Sequence, residues 1–266
     1  MNETELMLTS ILGCRRVDLY ADWKPLDEFQ RLHLDRMKSE RQNGRPLQYV
    51  MGWTEFMGLK LCVDERVLIP RFETELLVES VLKTAEKISR QPLEILDIGS
   101  GSGNIAIALA VFLEKCQVTS VDISEEALDL ARENAKISQV SHEINFIRSD
   151  IFNAFKTPNE TNKFDIIVSN PPYISSQRIP HLPIEVQFEP VLALDGGVRG
   201  LFFYEQIFAQ AQLFLKPDGY LFLEIGDDQR KDLEDLLKKY SCFDIIEFKK
   251  DLNERDRILI LCQTRF

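Results

Sequence analysis

The sequence predicts an α/β fold: a seven-stranded, mostly parallel sheet whose last strand runs antiparallel, preceded by a small helical unit and a linking β-hairpin. Three observations carry this reading. From about residue 70, continuous apolar runs alternate with amphipathic ones, as in strands buried on both faces between covering helices. The last two apolar runs are joined only by Asp251-Leu252-Asn253-Glu254-Arg255-Asp256, too short for a parallel crossover. Residues 1 to about 45 instead place their apolar side chains at helical spacing.

The elements follow in order. Leu6, Leu8, Ile11 and Leu12, then Leu26, Phe29, Leu32 and Met37, mark the helical unit over 1–46. Pro25 suits a helix start and Gly44 a stop. Residues 47–69 carry short apolar runs broken at Gly52 and Gly58 and are expected to form the hairpin. The main domain is expected over 70–266. It opens with a helix after Thr74, with Leu77, Val78, Val81, Leu82, Ala85 and Ile88 on one stripe. Strands at 93–99, 117–123, 144–150 and 164–170 follow, the first three each trailed or preceded by a helix. A long loop, a helix over 201–215, a Lys216-Pro217-Asp218-Gly219 turn and a strand to Gly226 come next. A charged helix and two strands complete the chain.

Composition sets bounds. Of 266 residues, 44% are hydrophobic and 28% charged, enough for a sizeable core and too apolar for a disordered chain. Five scattered cysteines and no CxxC point to reduced thiols rather than a disulfide framework. The three histidines form no HxxH pair, so no metal is expected. No basic leader and no long apolar run occur, which predicts a cytoplasmic protein with no membrane partner. The net charge of −11 opposes a phosphate backbone and lowers the expectation of DNA as a partner.

The first strand of the main domain ends in Asp97-Ile98-Gly99-Ser100-Gly101-Ser102-Gly103-Asn104. Glycines let a tight turn reach positive φ and let a ligand approach the backbone. The helix behind them aims its free N–H groups at that ligand. A dinucleotide fingerprint requires Gly at 104, where Asn104 stands. Asp122 ends the next strand, placed to accept the hydroxyls of a ribose. Asp150 ends the third, close enough in such a sheet to sit near an adenine ring. A plain strand-to-helix turn would explain the glycines alone, but not the acids that follow.

The fourth strand runs into Asn170-Pro171-Pro172-Tyr173. Two prolines remove two N–H donors and prevent regular structure. The Asn170 side-chain carbonyl and the main-chain carbonyls then serve as acceptors beside an aromatic ring, a receptor for a planar NH₂ group. A simple proline turn capped by Asn170 is the alternative. Both loops open on one edge of the sheet, so a nucleoside ligand and an NH₂ group would face each other.

Together, the glycine motif, Asp122 and Asn-Pro-Pro-Tyr resemble a class I, Rossmann-like S-adenosylmethionine-dependent N-methyltransferase. Further stretches separate its branches. Gly44-Arg45-Pro46-Leu47-Gln48-Tyr49, Leu68-Ile69-Pro70-Arg71 with Thr74-Glu75, Phe188-Glu189-Pro190 with Ala193-Leu194, and Asp251 to Arg257 resemble the release-factor glutamine methyltransferases often called HemK or PrmC. The resemblance implies that Gly99, Ser100, Gly101, Ser102 and Gly103 cradle the methionine part of S-adenosylmethionine. It implies that Asp122 binds the ribose, that Asp150 and Ile151 flank the adenine, and that Asn170 touches both cofactor and substrate. Asn170, Pro171, Pro172 and Tyr173 would bind the glutamine side chain of a peptide-chain release factor. The helical N-terminus would be the substrate-recognition domain. A carboxamide nitrogen is a poor nucleophile; Asn170 Oδ1 and the Pro171 carbonyl are expected to accept its hydrogens and aim it at the methyl.

An adenine-N6 or guanine-N2 nucleic-acid methyltransferase presents the same NH₂ geometry and stays open here. So does a non-catalytic binding module of the same fold. Trp23 and Trp53 read as packing residues. Lys38, Arg41 and Arg45 read as a solvated helix face or a docking patch. Arg71 and Glu75 are expected either to shape the pocket or to form an ion pair.

Overall fold

The computed structural model describes residues 2–21, 25–155 and 163–264; Trp23 lies outside them. Helix α1 (Glu3–Leu12) is capped by the Asn2 side chain and stops at Gly13, whose φ is 59°. A short α2 (Asp18–Ala21) follows. Helix α3 (Glu28–Gln42) starts at a capping box of Asp27 and Gln30, three residues beyond Pro25, because these side chains satisfy the free N–H groups that proline cannot. Residues Leu47–Met51 form α4 rather than the expected strand. Five apolar residues carry no period that separates helix from strand, and packing decides. Leu47, Val50 and Met51 close a small core around Met7, Leu34 and Met37.

The hairpin is confined to β1 (Trp53–Phe56) and β2 (Leu59–Cys62). Met57 and Gly58 both take positive φ, 50° and 77°, as a two-residue hairpin turn requires. The turn is pinned by Glu75 Oε1, which accepts from the Met57 N–H at 2.7 Å.

Helix α5 (Phe72–Ala85) begins two residues before Thr74. Then come β3 (Leu93–Ile98), α6 (Asn104–Phe112), β4 (Cys116–Asp122), α7 (Glu125–Ile137), β5 (Ile144–Arg148) and β6 (Phe164–Ser169). After a loop of short 3₁₀ turns follow α8 (Phe202–Phe214), β7 (Leu215–Glu224), α9 (Arg230–Leu237), β8 (Phe243–Lys250) and β9 (Asp256–Gln263). The spatial order is β5-β4-β3-β6-β7-β9-β8. Strands β5, β4, β3, β6 and β7 run parallel, and β9 lies antiparallel between β7 and β8. The expected Lys216–Gly219 turn is instead an irregularity within β7, where Asp218 takes φ 62° and the register against β6 shifts.

Alternation along the strands separates two cores. Ile95, Ile166, Val168 and Phe222 face α5, α6 and α7. Leu96, Ile98, Ile167, Leu221 and Leu223 face α8 and α9. Helix α6 is apolar all round, and Ile105 to Leu109 are all at most 2% exposed, which fits a stretch buried on every side; only its last turn, at Val111 and Phe112, reaches solvent. The chain winds outward from β3 to β5 and returns at β6. Such a reversal opens a crevice at the carboxyl ends of the two central strands.

Candidate active site

That crevice holds a cavity of about 450 Å³. Its wall includes Gly99, Ser100, Gly101, Ser102, Asp122, Asp150, Ile151, Asn170, Pro171 and Pro172. Gly103 and Tyr173 are not part of the lining. The register pairs Ile98 with Ser169, so the glycine turn and Asn170 emerge side by side. A Cβ built on Gly99 would lie 3.9 Å from the Asn170 carbonyl oxygen.

The glycine turn is stiffened from behind. Asp122 Oδ2 accepts from the Gly101 N–H and its Oδ1 from the Ser124 N–H, each at 2.9 Å. The Ile123 N–H also acts on this carboxylate, and part of its acceptor capacity is left for a ligand. Burial raises its pKa, against the pull of these N–H groups. Asn134 on α7 donates to Ser102 O at 2.9 Å and to Cys62 O at 3.0 Å, tying the turn to the hairpin. Gly101 has φ 52° and open space where a Cβ would sit. Gly103 has φ 81°, but its Cβ would meet Ile107 and Ala131 at 3.0 and 3.1 Å. Gly103 therefore serves helix packing, whereas Gly101 keeps the cavity open.

Among the described residues, three buried polar atoms beside the turn, Asp97 Oδ1, Ser100 Oγ and Ser102 Oγ, have no hydrogen-bond partner. Buried polar groups are normally satisfied. Ser100 and Ser102 line the cavity, and their hydroxyls fit a polar ligand bearing donors and acceptors, such as the amino-acid end of a nucleoside cofactor; Asp97 lies behind them, outside the lining. Burial pushes the Asp97 carboxyl up to about 7, opposed by the Ser120 hydroxyl that donates to it at 2.7 Å.

Asn170 is held by its own amide. Nδ2 donates to Thr74 Oγ1 at 3.1 Å, and Thr74 Oγ1 donates to Glu224 Oε2 at 2.6 Å. Tyr173 stands behind the wall, with its hydroxyl donating to Glu224 Oε1 at 3.3 Å. Burial, and then the Glu224 charge, raise the Tyr173 pKa. Gln229 holds the same loop by its backbone: Nε2 donates to Tyr173 O at 3.1 Å and to Gly200 O at 3.0 Å. A Cβ on Gly200 would come within 2.2 Å of Tyr173 O, so only glycine allows this approach.

Arg71 shapes the rim and forms an ion pair. Its Nη2 donates to both oxygens of the buried Glu189 at 2.7 and 2.8 Å, bridging the segment before α5 and the loop after β6. Burial raises the Glu189 pKa, against the pull of Arg71. Arg41 and Arg45 are not a free basic patch. Arg41 pairs with Glu3 and Glu185 at 2.9 and 2.6 Å, and Arg45 with Glu40 at 3.3 Å and with Glu65. Trp53 is a packing residue whose Nε1 donates to Ser10 Oγ at 3.0 Å, with Lys60 Nζ 4.5 Å over its ring. Sequence reasoning missed Thr74, Glu224 and Gln229 as site residues. Glu224 carried the signal already read in Asp122: an acid closing an apolar central strand.

Five parallel strands that deliver a glycine turn, an acid and an Asn-Pro-Pro loop to one crevice define a methyltransferase, and residues 89–259 match the family model of a methyltransferase domain. Residues 1–52 match the PrmC N-terminal domain. The release factor glutamine methyltransferase of Lactococcus lactis is 44% identical over 237 residues, covering 89% of this chain and 84% of its own. That of Thermodesulfovibrio yellowstonii is 35% identical over 266 residues, covering 100% of this chain and 93% of its own. The chain belongs to the release factor glutamine methyltransferase family. Among solved structures, the ribosomal protein L11 methylase of Lactobacillus delbrueckii subsp. bulgaricus shares the fold. Its TM-score is 0.53 at 22% identity, covering 76% of this chain and 84% of that one. The hMettl16 catalytic domain shares it at TM-score 0.58 and 15% identity, covering 90% and 82%.

Proposed function

We propose that this chain transfers a methyl group from S-adenosylmethionine to the side-chain amide N5 of the Gly-Gly-Gln glutamine of peptide-chain release factors. One observation carries the reading: the Asn170 loop and the glycine turn lie adjacent on one cavity wall. Family membership supplies the substrate class.

Gly99, Ser100, Gly101 and Ser102 would hold the methionine part of the cofactor, with Gly103 setting the turn from behind. Asp122 would take the ribose hydroxyls on its remaining lone pairs; Asp150 and Ile151 would flank the adenine. When bound, the cofactor supplies an electrophilic methyl on a sulfonium, chemistry that calls for no metal. Asn170 Oδ1 and the Pro171 carbonyl accept the two hydrogens of the substrate NH₂, which favours electron density on its nitrogen and fixes its direction. Pro172 keeps the loop out of regular structure. Tyr173, set behind the wall, holds the loop in place. Residues 1–46 act as the substrate-recognition domain, 47–69 as the linker and 70–266 as the catalytic domain. The reaction takes place in the cytoplasm, on protein rather than DNA.

The test uses methyl-labelled S-adenosylmethionine with four acceptors: unmodified release factor, release factor with its Gly-Gly-Gln glutamine changed to alanine, duplex DNA and RNA. Label on the unmodified factor alone is expected. Label on nucleic acid, or on the alanine variant, sinks the substrate assignment. Asn170→Ala is expected to lower kcat about 100-fold or more, the scale of losing one preorganised polar group. Cofactor affinity by calorimetry should change only a few-fold. Equal losses in both would refute the role of Asn170.

A further inference from the structure

Glu224 is 1% exposed and sits at the carboxyl end of β7, at the end of the run Leu221-Phe222-Leu223. Its two oxygens face hydroxyls, Thr74 on α5 and Tyr173 in the loop after β6. Arg257 on β9 and Glu73 on α5 act on it from farther away with opposite sign. The Tyr204 hydroxyl on α8 donates to its backbone carbonyl at 2.9 Å.

An ionised carboxylate can only accept hydrogen bonds, and a threonine hydroxyl has one proton to give. Above pH about 7, where Glu224 is ionised, Thr74 gives that proton to it at 2.6 Å. Its oxygen is then left only as an acceptor, and what it accepts is Asn170 Nδ2–H at 3.1 Å. The relay sets the sense of the Asn170 amide: NH₂ toward Thr74, Oδ1 on the other branch. Removal of the carboxylate frees the Thr74 proton to point at Asn170, and the amide can then turn over at little cost. A turned amide would offer a substrate NH₂ two donors instead of an acceptor.

We propose that Glu224 is a positioning residue for methyl transfer, acting through Thr74 to fix which end of the Asn170 amide is offered to the substrate. Gln229, five residues on, complements it by pinning the backbone of the same loop at Tyr173. The inference rests on the reaction proposed above and deepens it.

The experiment, run well above pH 7 so that Glu224 is ionised, compares full-length wild type, Thr74→Val, Thr74→Ser, Glu224→Leu and the Thr74→Val/Glu224→Leu pair. Thr74→Val preserves shape and removes the hydroxyl; Thr74→Ser keeps the hydroxyl. Each relay-breaking single substitution is expected to lower kcat about 10- to 100-fold, the scale of a misplaced reacting group. KM for the cofactor should stay within about threefold, because the relay acts on one amide and leaves the glycine turn intact. The pair should be about as slow as the slower single, since both break one relay. Thr74→Ser should recover most of the loss. Full kcat in Thr74→Val, or a pair whose losses multiply, overturns the proposal.

A second readout does not depend on turnover. The Asn170 side-chain NH₂ resonance, identified by its loss in Asn170→Ala, should exchange slowly with solvent in wild type and rapidly in Thr74→Val. Equal exchange in the two overturns the relay. If wild type modifies no release factor yet the exchange difference appears, the relay stands and only the substrate reading fails.

Discussion

At the amino end of the sheet, Asp165 is fully buried near the start of β6 and is met by two cations. Lys216 Nζ stands 2.8 Å from Oδ2 and Arg90 Nε 2.8 Å from Oδ1, while the Glu94 N–H donates to Oδ2 at 3.0 Å. At the carboxyl end, Asp97 and Glu224 are as buried, but their nearest side-chain partners are hydroxyls: Ser120 for one, Thr74 and Tyr173 for the other. Among the described residues, neither forms an ion pair. The difference separates anchoring from positioning. Two cations neutralise a buried acid and lock the strands around it. Hydroxyls leave the charge largely uncompensated, yet they take a fixed direction from it, which a cavity wall needs and a strand register does not.

Removing the anchor should produce the largest effect on folding. Asp165→Ala leaves Arg90 and Lys216 facing a dry strand and is expected to cost about 2–3 kcal/mol. That is below the ~3–5 for a fully buried pair, because Arg90 is half-exposed. Urea denaturation would read the loss, with kcat per folded molecule unchanged; a large kcat effect would erase the distinction between the two ends.

The two glycines of the turn sharpen the comparison on a smaller scale. Gly103→Ala combines positive φ with contacts at 3.0 and 3.1 Å and should cost about 2 kcal/mol, with little change in cofactor affinity. Gly101→Ala has room for its Cβ and should cost about 1 kcal/mol, while weakening cofactor binding about tenfold or more. Thermal denaturation and calorimetry on both variants check the split. Equal effects on affinity would mean that both glycines serve the ligand.

The smallest effect is a pH dependence. Burial pushes Asp97 and Glu224 up to about 7, from ordinary values of 3.8 and 4.5. Between pH 8 and 6 the unfolded chain keeps both ionised, whereas the folded chain takes up protons. Folding should therefore grow stronger as pH falls from 8 to 6, by on the order of 1 kcal/mol per group, and weaken as pH rises through about 7. Asp97→Asn should flatten that slope by about half in urea melts at pH 6, 7 and 8. An unchanged slope would show that Asp97 stays ionised throughout.

Much of this architecture was legible in the residues. Long apolar strands fully buried on two faces leave little choice of class, and a five-residue link between β8 and β9 permits only an antiparallel pair. The short elements were not legible. Leu47–Met51 became helix because Leu47, Val50 and Met51 face the core of Met7 and Met37, a partner the local sequence does not contain. Arg41 and Arg45 lost their freedom to Glu3, Glu185 and Glu65, residues distant in the chain.

The site divides the same way. By itself, the sequence determined which chemistry-bearing residues close the strands: Gly99 to Gly103, Asp122, Asp150 and Asn170. It could do so because strand ends in a parallel sheet share one edge, so linear position fixes spatial neighbourhood. Only the tertiary structure decided which of them reach the cavity and which stand behind it. Gly103 turned to α7, Tyr173 turned to Glu224, and Thr74 came from a helix 96 positions earlier to hold Asn170. Side-chain direction across packed elements depends on which groups must be satisfied away from water, and that is settled only when the elements meet.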